Sequence, residues 1–282
     1  MKFNSGIIFR WFTTAVLVSF TLSIVLIFMA NAAYIDGASI KEVVTSDHIR
    51  NALILSFTSS IIATLLSLMV AIPSAYALSR GRFRGIMILD TIVDLLIVMP
   101  VLVIGISLLV VFRVGGDLVE SPICFLRFIG SCIAGLGSFF IYTKAGVVLA
   151  QFFCGVSFAI RIIKTTFDDI DPRTEHVAMT LGCSQWSAFR RITLPLASRG
   201  IIAGAVLSWL RAFGVFGAVI IVGGAVRNRT EVLPTAIYLE ISIGRLEMAI
   251  AISLLMITVA TIVLILLRRI CGASLLGSGR VS

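Results

Sequence analysis

An all-α integral membrane fold with six transmembrane helices and both termini in the cytoplasm is predicted by this sequence on three grounds. The composition is too apolar for a soluble domain, six stretches can cross a bilayer, and the cations between them are unevenly shared. Of 282 residues 59% are hydrophobic and 13% charged, with a mean hydropathy of +1.10, whereas charged residues make up about one quarter of a soluble domain. The net charge of +9 does not mark a nucleic-acid binder, because no basic run is interleaved with aromatics and the cations collect in loops between apolar spans.

Crossing a hydrocarbon core of about 30 Å takes about 20 apolar residues in a helix, and residues 11–33, 52–78, 86–112, 145–163, 200–224 and 248–267 qualify. With the N-terminus inside, the cytoplasmic segments hold 14 cations: Lys2, Arg10, Arg80, Arg82, Arg84, Arg161, Lys164, Arg173, Arg190, Arg191, Arg199, Arg268, Arg269 and Arg280. The outer segments hold 8, namely Lys41, Arg50, Arg113, Arg127, Lys144, Arg227, Arg229 and Arg245, some with Asp or Glu close by in sequence. That bias sets the orientation.

Residues 123–142 are also apolar, but a seventh span there would place the six cations from Arg161 to Arg199 outside. An outer-surface or re-entrant helix fits better. At the N-terminus, Ala30-Asn31-Ala32 ends an apolar run with a small-x-small pattern, as a cleaved signal would. The run of about 20 residues exceeds the 7–15 of a signal core, which favours a retained first helix. Pro73 in the second span and Pro100 in the third each remove a backbone donor and are expected to bend their helices. Gly200-x-x-x-Gly204 in the small-residue-rich fifth span lets helix backbones approach closely.

The chain reads as a single membrane domain over 1–282, with one sizeable cytoplasmic segment at about 164–199. No G-x-x-x-x-G-K-[ST] occurs, so it has no P-loop route to ATP hydrolysis and binds no cofactor of its own. The five cysteines Cys124, Cys132, Cys154, Cys183 and Cys271 show no C-x-x-C pair and no His at ligand spacing, which speaks against a metal site. Cys124 and Cys132 share an outer segment and could pair there, although apolar filling is the commoner use.

Two clusters carry the chemistry. The first runs through the cytoplasmic segment. Asp171 before Pro172 is a helix start with an N-cap acceptor; Glu175, His176, Val177 and Ala178 follow, Gly182 ends this short helix, and a second is expected from about Gln185 to Ile192, before Leu194 and Pro195. The second cluster is Arg211 with Gly214, Phe216 and Gly217, at the centre of the fifth span. An ionisable group at that depth is costly unless it faces a cavity or a partner. Arg211 therefore belongs either to a pathway or to an ion pair, with Asp90, Asp94 or Glu247 as candidate partners.

The spacing His176-Val177-Ala178-x-x-x-Gly182-x9-Ile192-x-Leu194-Pro195 resembles the E-A-A-x-x-x-G-x9-I-x-L-P loop of bacterial ABC importer permeases. His176 and Val177 replace the Glu and first Ala. Further along, Arg211-Ala212-Phe213-Gly214-Val215-Phe216-Gly217-Ala218 and Glu231-Val232-Leu233-Pro234-Thr235-Ala236-Ile237-Tyr238 are similar to molybdate, tungstate and sulfate permeases, with Val215 where those usually carry Glu. The resemblance implies a homodimer in a prokaryotic cytoplasmic membrane, surrounded by lipid and without nucleic acid. It also implies a separate ATPase holding ATP-Mg at the cytoplasmic loop, an extracytoplasmic solute-binding protein, and import of a tetrahedral oxyanion by alternating access. In the family the Glu can pair with a cation on the ATPase, whereas His176 is mostly neutral near pH 7. Glu175 can supply that charge, although it points about 100° away around the helix.

Other functions fit less well. An ABC permease for phosphonate, ferric iron or a polyamine would share the loop. A secondary transporter would show internal repeats and midspan carboxylates, and an intramembrane enzyme would need facing nucleophile and base, whereas His48 and His176 lie outside the spans.

Overall fold

The computed structural model of the chain describes residues 4–275 apart from 35, 37–40, 44, 82 and 121–122. Lys2, Arg82 and Arg280 lie outside the described residues, and so do the side chains of Arg268, Arg269 and Cys271. The regular structure among the described residues is all helical. In order, the elements are α1 (Asn4–Ala33), α2 (Asp47–Arg80), α3 (Ile86–Val98), α4 (Val101–Val119), α5 (Cys124–Phe140), α6 (Lys144–Asp168) and α7 (Arg173–Thr180). There follow α8 (Gln185–Ala188), a π-helical turn (Phe189–Thr193), α9 (Leu194–Leu196), α10 (Ser198–Phe213), α11 (Gly217–Gly223), α12 (Leu233–Ser242) and α13 (Leu246–Leu275). Among the described residues α1, α2, α4, α6 and α13 each contain a stretch long and apolar enough to cross a membrane. The sixth candidate is α10, which meets the 185–196 segment at a 69° bend.

The centre of the bundle is α6, packed on α2, α10 and α11. Its interface with α2 is built from small side chains: Ala63, Ala71 and Ala75 of α2 and Ala150 and Ala159 of α6 are fully enclosed. Buried hydroxyls on α2 satisfy themselves locally, as Thr64 does by donating to the Ser60 carbonyl (2.7 Å), or tie elements together, as Ser56 does by accepting from Leu233 N (2.7 Å). The expected close approach at Gly200 and Gly204 is present. A Cβ at Gly200 would fall 1.9 Å from Thr166 Oγ1, and one at Gly204 3.0 Å from Ile163 Cγ1. Helix α1 stands apart, exposed along its spanning stretch and touching the bundle at α13.

Several expectations need correction. The third span does not run unbroken over 86–112: the helix stops at Val98, Met99 turns extended (ψ 132°), and α4 restarts after Pro100 and continues to Val119. Helix α2, by contrast, continues through Pro73. The fifth span is interrupted between Phe213 and Gly217. Residues 124–140 form a helix that doubles back along α4, with Gly137 against Phe112 and Gly130 against Leu118 and Val119. At 17 residues and 1.5 Å rise per residue it reaches about 25 Å, short of a full crossing. Cys124 and Cys132 are both free and exposed on this one helix. Eight residues apart they are separated by about 12 Å along its axis, too far for a disulfide.

Candidate functional site

The first cluster forms a braced helical hairpin. Asp171 Oδ1 accepts from Arg173 N (2.9 Å), the expected cap at the start of α7. The other end closes as a Schellman motif: Gly182 N donates to the Met179 carbonyl (3.0 Å) and Cys183 N to that of Ala178 (3.1 Å). Gly182 has φ +90°, a left-handed conformation in which a side chain is strained, and the space around it is open. The sequence thus specifies a sharp exit from α7. Ser184 caps α8, accepting from Ser187 N (3.2 Å). The second helix is not the plain 185–192 helix expected, since a π-helical turn occupies Phe189–Thr193. That turn buries Phe189 beside Phe167, while Ile192 and Leu194 are half-buried. Pro195 falls in α9, just before the bend into α10.

Glu175 faces inward. It is 6% exposed, accepts from the Tyr76 hydroxyl (2.7 Å) and pairs with Arg80 Nε (3.2 Å), while Arg80 Nη2 donates to the Ile170 carbonyl (2.7 Å). Burial alone pushes its carboxyl up. The Tyr76 hydroxyl, then Thr193 and the Arg80 guanidinium, outweigh burial and hold the carboxyl below its ordinary value. The expectation that Glu175 supplies a charge to a partner is therefore corrected: its charge is spent on α2. Ala178, one turn on, is buried beside it, and His176 and Val177 are exposed. The outward surface of the hairpin carries three largely exposed apolar side chains, Val177, Leu181 and Trp186, among polar ones. In the sequence Tyr76 stood out for nothing and Arg80 only as one of the loop cations. Their signal was an i, i+4 polar pair on one face at the end of an apolar helix.

The second cluster also comes together. Arg211, Gly214, Phe216 and Gly217, with Val101, Leu210 and Val215, line a cavity of about 300 Å³ at the interruption between α10 and α11. Gly217 lets α11 approach α4, since a Cβ there would lie 3.1 Å from Leu102 N. Phe216 packs on Tyr238, ring centroids 5.2 Å apart. The Arg211 guanidinium lies over the Phe158 ring at 4.5 Å, a cation–π contact invisible in the sequence. Among the described residues no carboxylate is within ion-pair distance of Arg211. Asp90 and Asp94 are held by Arg161 of α6, the former at 3.2 Å, and Glu247 is exposed at the start of α13.

A helical membrane bundle with a braced hairpin at one end and a cavity at a broken span has the build of an importer's membrane-spanning subunit. Residues 63–271 match the family described as binding-protein-dependent transport system inner membrane component, and the chain belongs to that family. It is thus a multi-pass inner-membrane permease of the ABC importer class. Among relatives, the sulfate transport system permease protein CysT of Escherichia coli is 30% identical over 74% of this chain and 72% of its own. The molybdenum transport system permease protein ModB of Mycobacterium tuberculosis is 31% identical over 84% of this chain and 85% of its own. The fold is shared with a bacterial ABC transporter that imports the acidic polysaccharide alginate, at TM-score 0.69 and 16% identity over 97% of this chain and 99% of that one. A related crystal structure, of the alginate transporter with its periplasmic protein, gives TM-score 0.70 at 18% identity over 95% and 96%.

Proposed function

We propose that this permease imports a tetrahedral oxyanion, molybdate or tungstate before sulfate, as a homodimer. A separate ATPase carrying ATP-Mg docks on the α7–α8 hairpin, and an extracytoplasmic binding protein delivers the anion. The observation that carries the substrate class is Arg211, a guanidinium without a carboxylate partner among the described residues, at a cavity in a broken span. Its planar fork of donors suits an oxyanion. The names of the sulfate and molybdenum relatives agree with this reading. The exposed apolar side chains of Val177, Leu181 and Trp186 fit a groove on a partner, and the bracing of the hairpin to α2 would pass rigid-body motion into the bundle.

The test is uptake of labelled molybdate, tungstate and sulfate into proteoliposomes holding the permease, its ATPase and its binding protein. ATP-dependent uptake of at least one, competed by the others, is expected. Uptake of none of them would overturn the substrate class. Orientation follows from the cation bias. In a cysteine-free background Asp117→Cys is expected to react with an impermeant thiol reagent from outside intact cells and Gln185→Cys only after permeabilisation; the opposite pattern would reverse the topology.

A further inference from the structure

A second cavity, of about 370 Å³, opens at the end of the bundle away from the hairpin. It lies between α2, the start of α6 and the loop after α11. Its polar lining is Asn51, Thr58, Lys144, Asn228, Arg229 and Glu231. The loop that supplies three of these is tightly wound. Gly224, Ala225 and Asn228 all have left-handed φ (76°, 47° and 61°), and the N–H groups of Arg229, Thr230 and Glu231 converge on the Val226 carbonyl at 3.0–3.1 Å. Asn228 Oδ1 accepts from Asn51 Nδ2 (3.2 Å), which anchors the amide to α2 and keeps its own N–H donors available. Lys144 and Arg229 are exposed, and neither is in an ion pair among the described residues.

Glu231 distinguishes this cavity from an ordinary basic surface. It is 2% exposed, and neither carboxyl oxygen has a hydrogen-bond partner among the described residues. The nearby charges are committed elsewhere. Arg227 of the same loop pairs at 2.8 Å with the buried Glu240 of α12, to which His48 of α2 stands at 3.9 Å and Arg245 at 3.6 Å. A buried carboxylate left without donors is costly, and such groups neutralise instead.

We propose that this outer cavity is an oxyanion site, with Lys144, Arg229 and the Asn228 amide as donors and the Glu231 carboxyl as a proton-dependent member. The inference rests on the import reading above and adds a first station to it. Helix α11, seven residues long and so about 10 Å, runs from the Arg211 cavity to the loop that builds this one. An anion released by a binding protein would meet these cations before reaching Arg211. Burial pushes the Glu231 carboxyl up, against the charges of His48 and Arg227 and the nearby Asn228 backbone N–H, and with the charge of Glu240. Below its raised value it is a neutral acid able to donate to an oxyanion; as pH rises through that value it ionises, sets a negative charge beside Lys144 and Arg229, and repels the anion.

The experiment measures anion delivered per ATP hydrolysed, using the full complex in proteoliposomes of phosphatidylcholine alone and with a third of phosphatidylglycerol. Lys144→Gln and Arg229→Gln are each expected to lower that ratio about tenfold in both lipids, the effect of losing a charge-assisted hydrogen bond. As pH rises through the raised value of the Glu231 carboxyl, the wild-type ratio is expected to fall and that of Glu231→Gln to stay level. Unchanged ratios with transport and hydrolysis falling together would make the residues a docking contact and overturn the site. A loss confined to the anionic lipid would assign the cavity to a lipid headgroup instead. If the wild type moves no oxyanion, the import reading itself fails; if it does and the variants match it at every pH, only the outer site fails.

Discussion

Arg211→Ala is expected to abolish oxyanion uptake while the permease still folds and assembles with its ATPase. Removing a side chain from a buried ion pair usually strands its partner and destabilises by about 3–5 kcal/mol, but Arg211 has no such partner among the described residues. The internal loss is its contact with Phe158, about 0.5–2 kcal/mol. The functional loss is larger, because the fork of charge-assisted donors at the cavity is worth about 1.5–3 kcal/mol per hydrogen bond, or roughly tenfold to a hundredfold in rate. Arg211→Lys keeps the charge without the fork and should retain part of the uptake. Initial rates in proteoliposomes, with co-purified ATPase as the control, decide the matter. Wild-type uptake by the alanine variant would remove Arg211 from the pathway.

Arg80→Ala should uncouple hydrolysis from transport. The change strips Glu175 of its cation and Ile170 of its hydrogen bond, leaving a 6%-exposed carboxylate with Tyr76 as its donor; breaking a buried pair in this way costs about 3–5 kcal/mol. The hairpin would then move without α2, so the variant should hydrolyse ATP and import little. The pH dependence has a definite sign. The Glu175 carboxyl sits below its ordinary value in the wild type, so its contribution to stability is complete above about pH 4.3 and is lost as pH falls through the depressed value. In Arg80→Ala the guanidinium no longer holds the carboxyl down, the carboxyl rises, and acidification should cost the variant less melting temperature than it costs the wild type. A variant with wild-type melting and wild-type uptake per ATP would show that the brace carries no force.

Much of this arrangement was legible because it depends on local chemistry. Span number follows from hydropathy, the start of α7 from Asp171-Pro172, its end from Gly182, and the packing of α10 on α6 from Gly200 and Gly204. Backbone breaks were less legible, since a hydropathy window registers length and composition and not continuity. The two prolines show why. Around Pro73, Ala71 and Ala75 are enclosed against α6, and that packing keeps the helix going. No residue of α3 is buried, so nothing opposes the preference for extended backbone before Pro100. The inward turn of Glu175 was hidden for another reason: its partners lie 95 and 99 residues away, and the helical angle separating it from His176 does not reveal which side holds the protein. The Arg211 cluster was picked out from the cost of a charge midway along a span, yet Phe158, its ring partner, has no sequence signal beyond being aromatic.

Helix α2 is held by the hairpin at Tyr76 and Arg80 and lines the outer cavity with Asn51 and Thr58. Its 34 residues form an unbroken rod of about 51 Å. Such a rod behaves as a lever: a tilt of about 10° around its midpoint carries each end through about 4 Å, the thickness of one layer of touching atoms. A displacement of that size at the hairpin end would make or break contacts at the far mouth without deforming any element between them. The mechanical gain then depends on where the fulcrum lies, and the tightly enclosed alanines where α2 crosses α6 mark the place on the rod with the least room to slide.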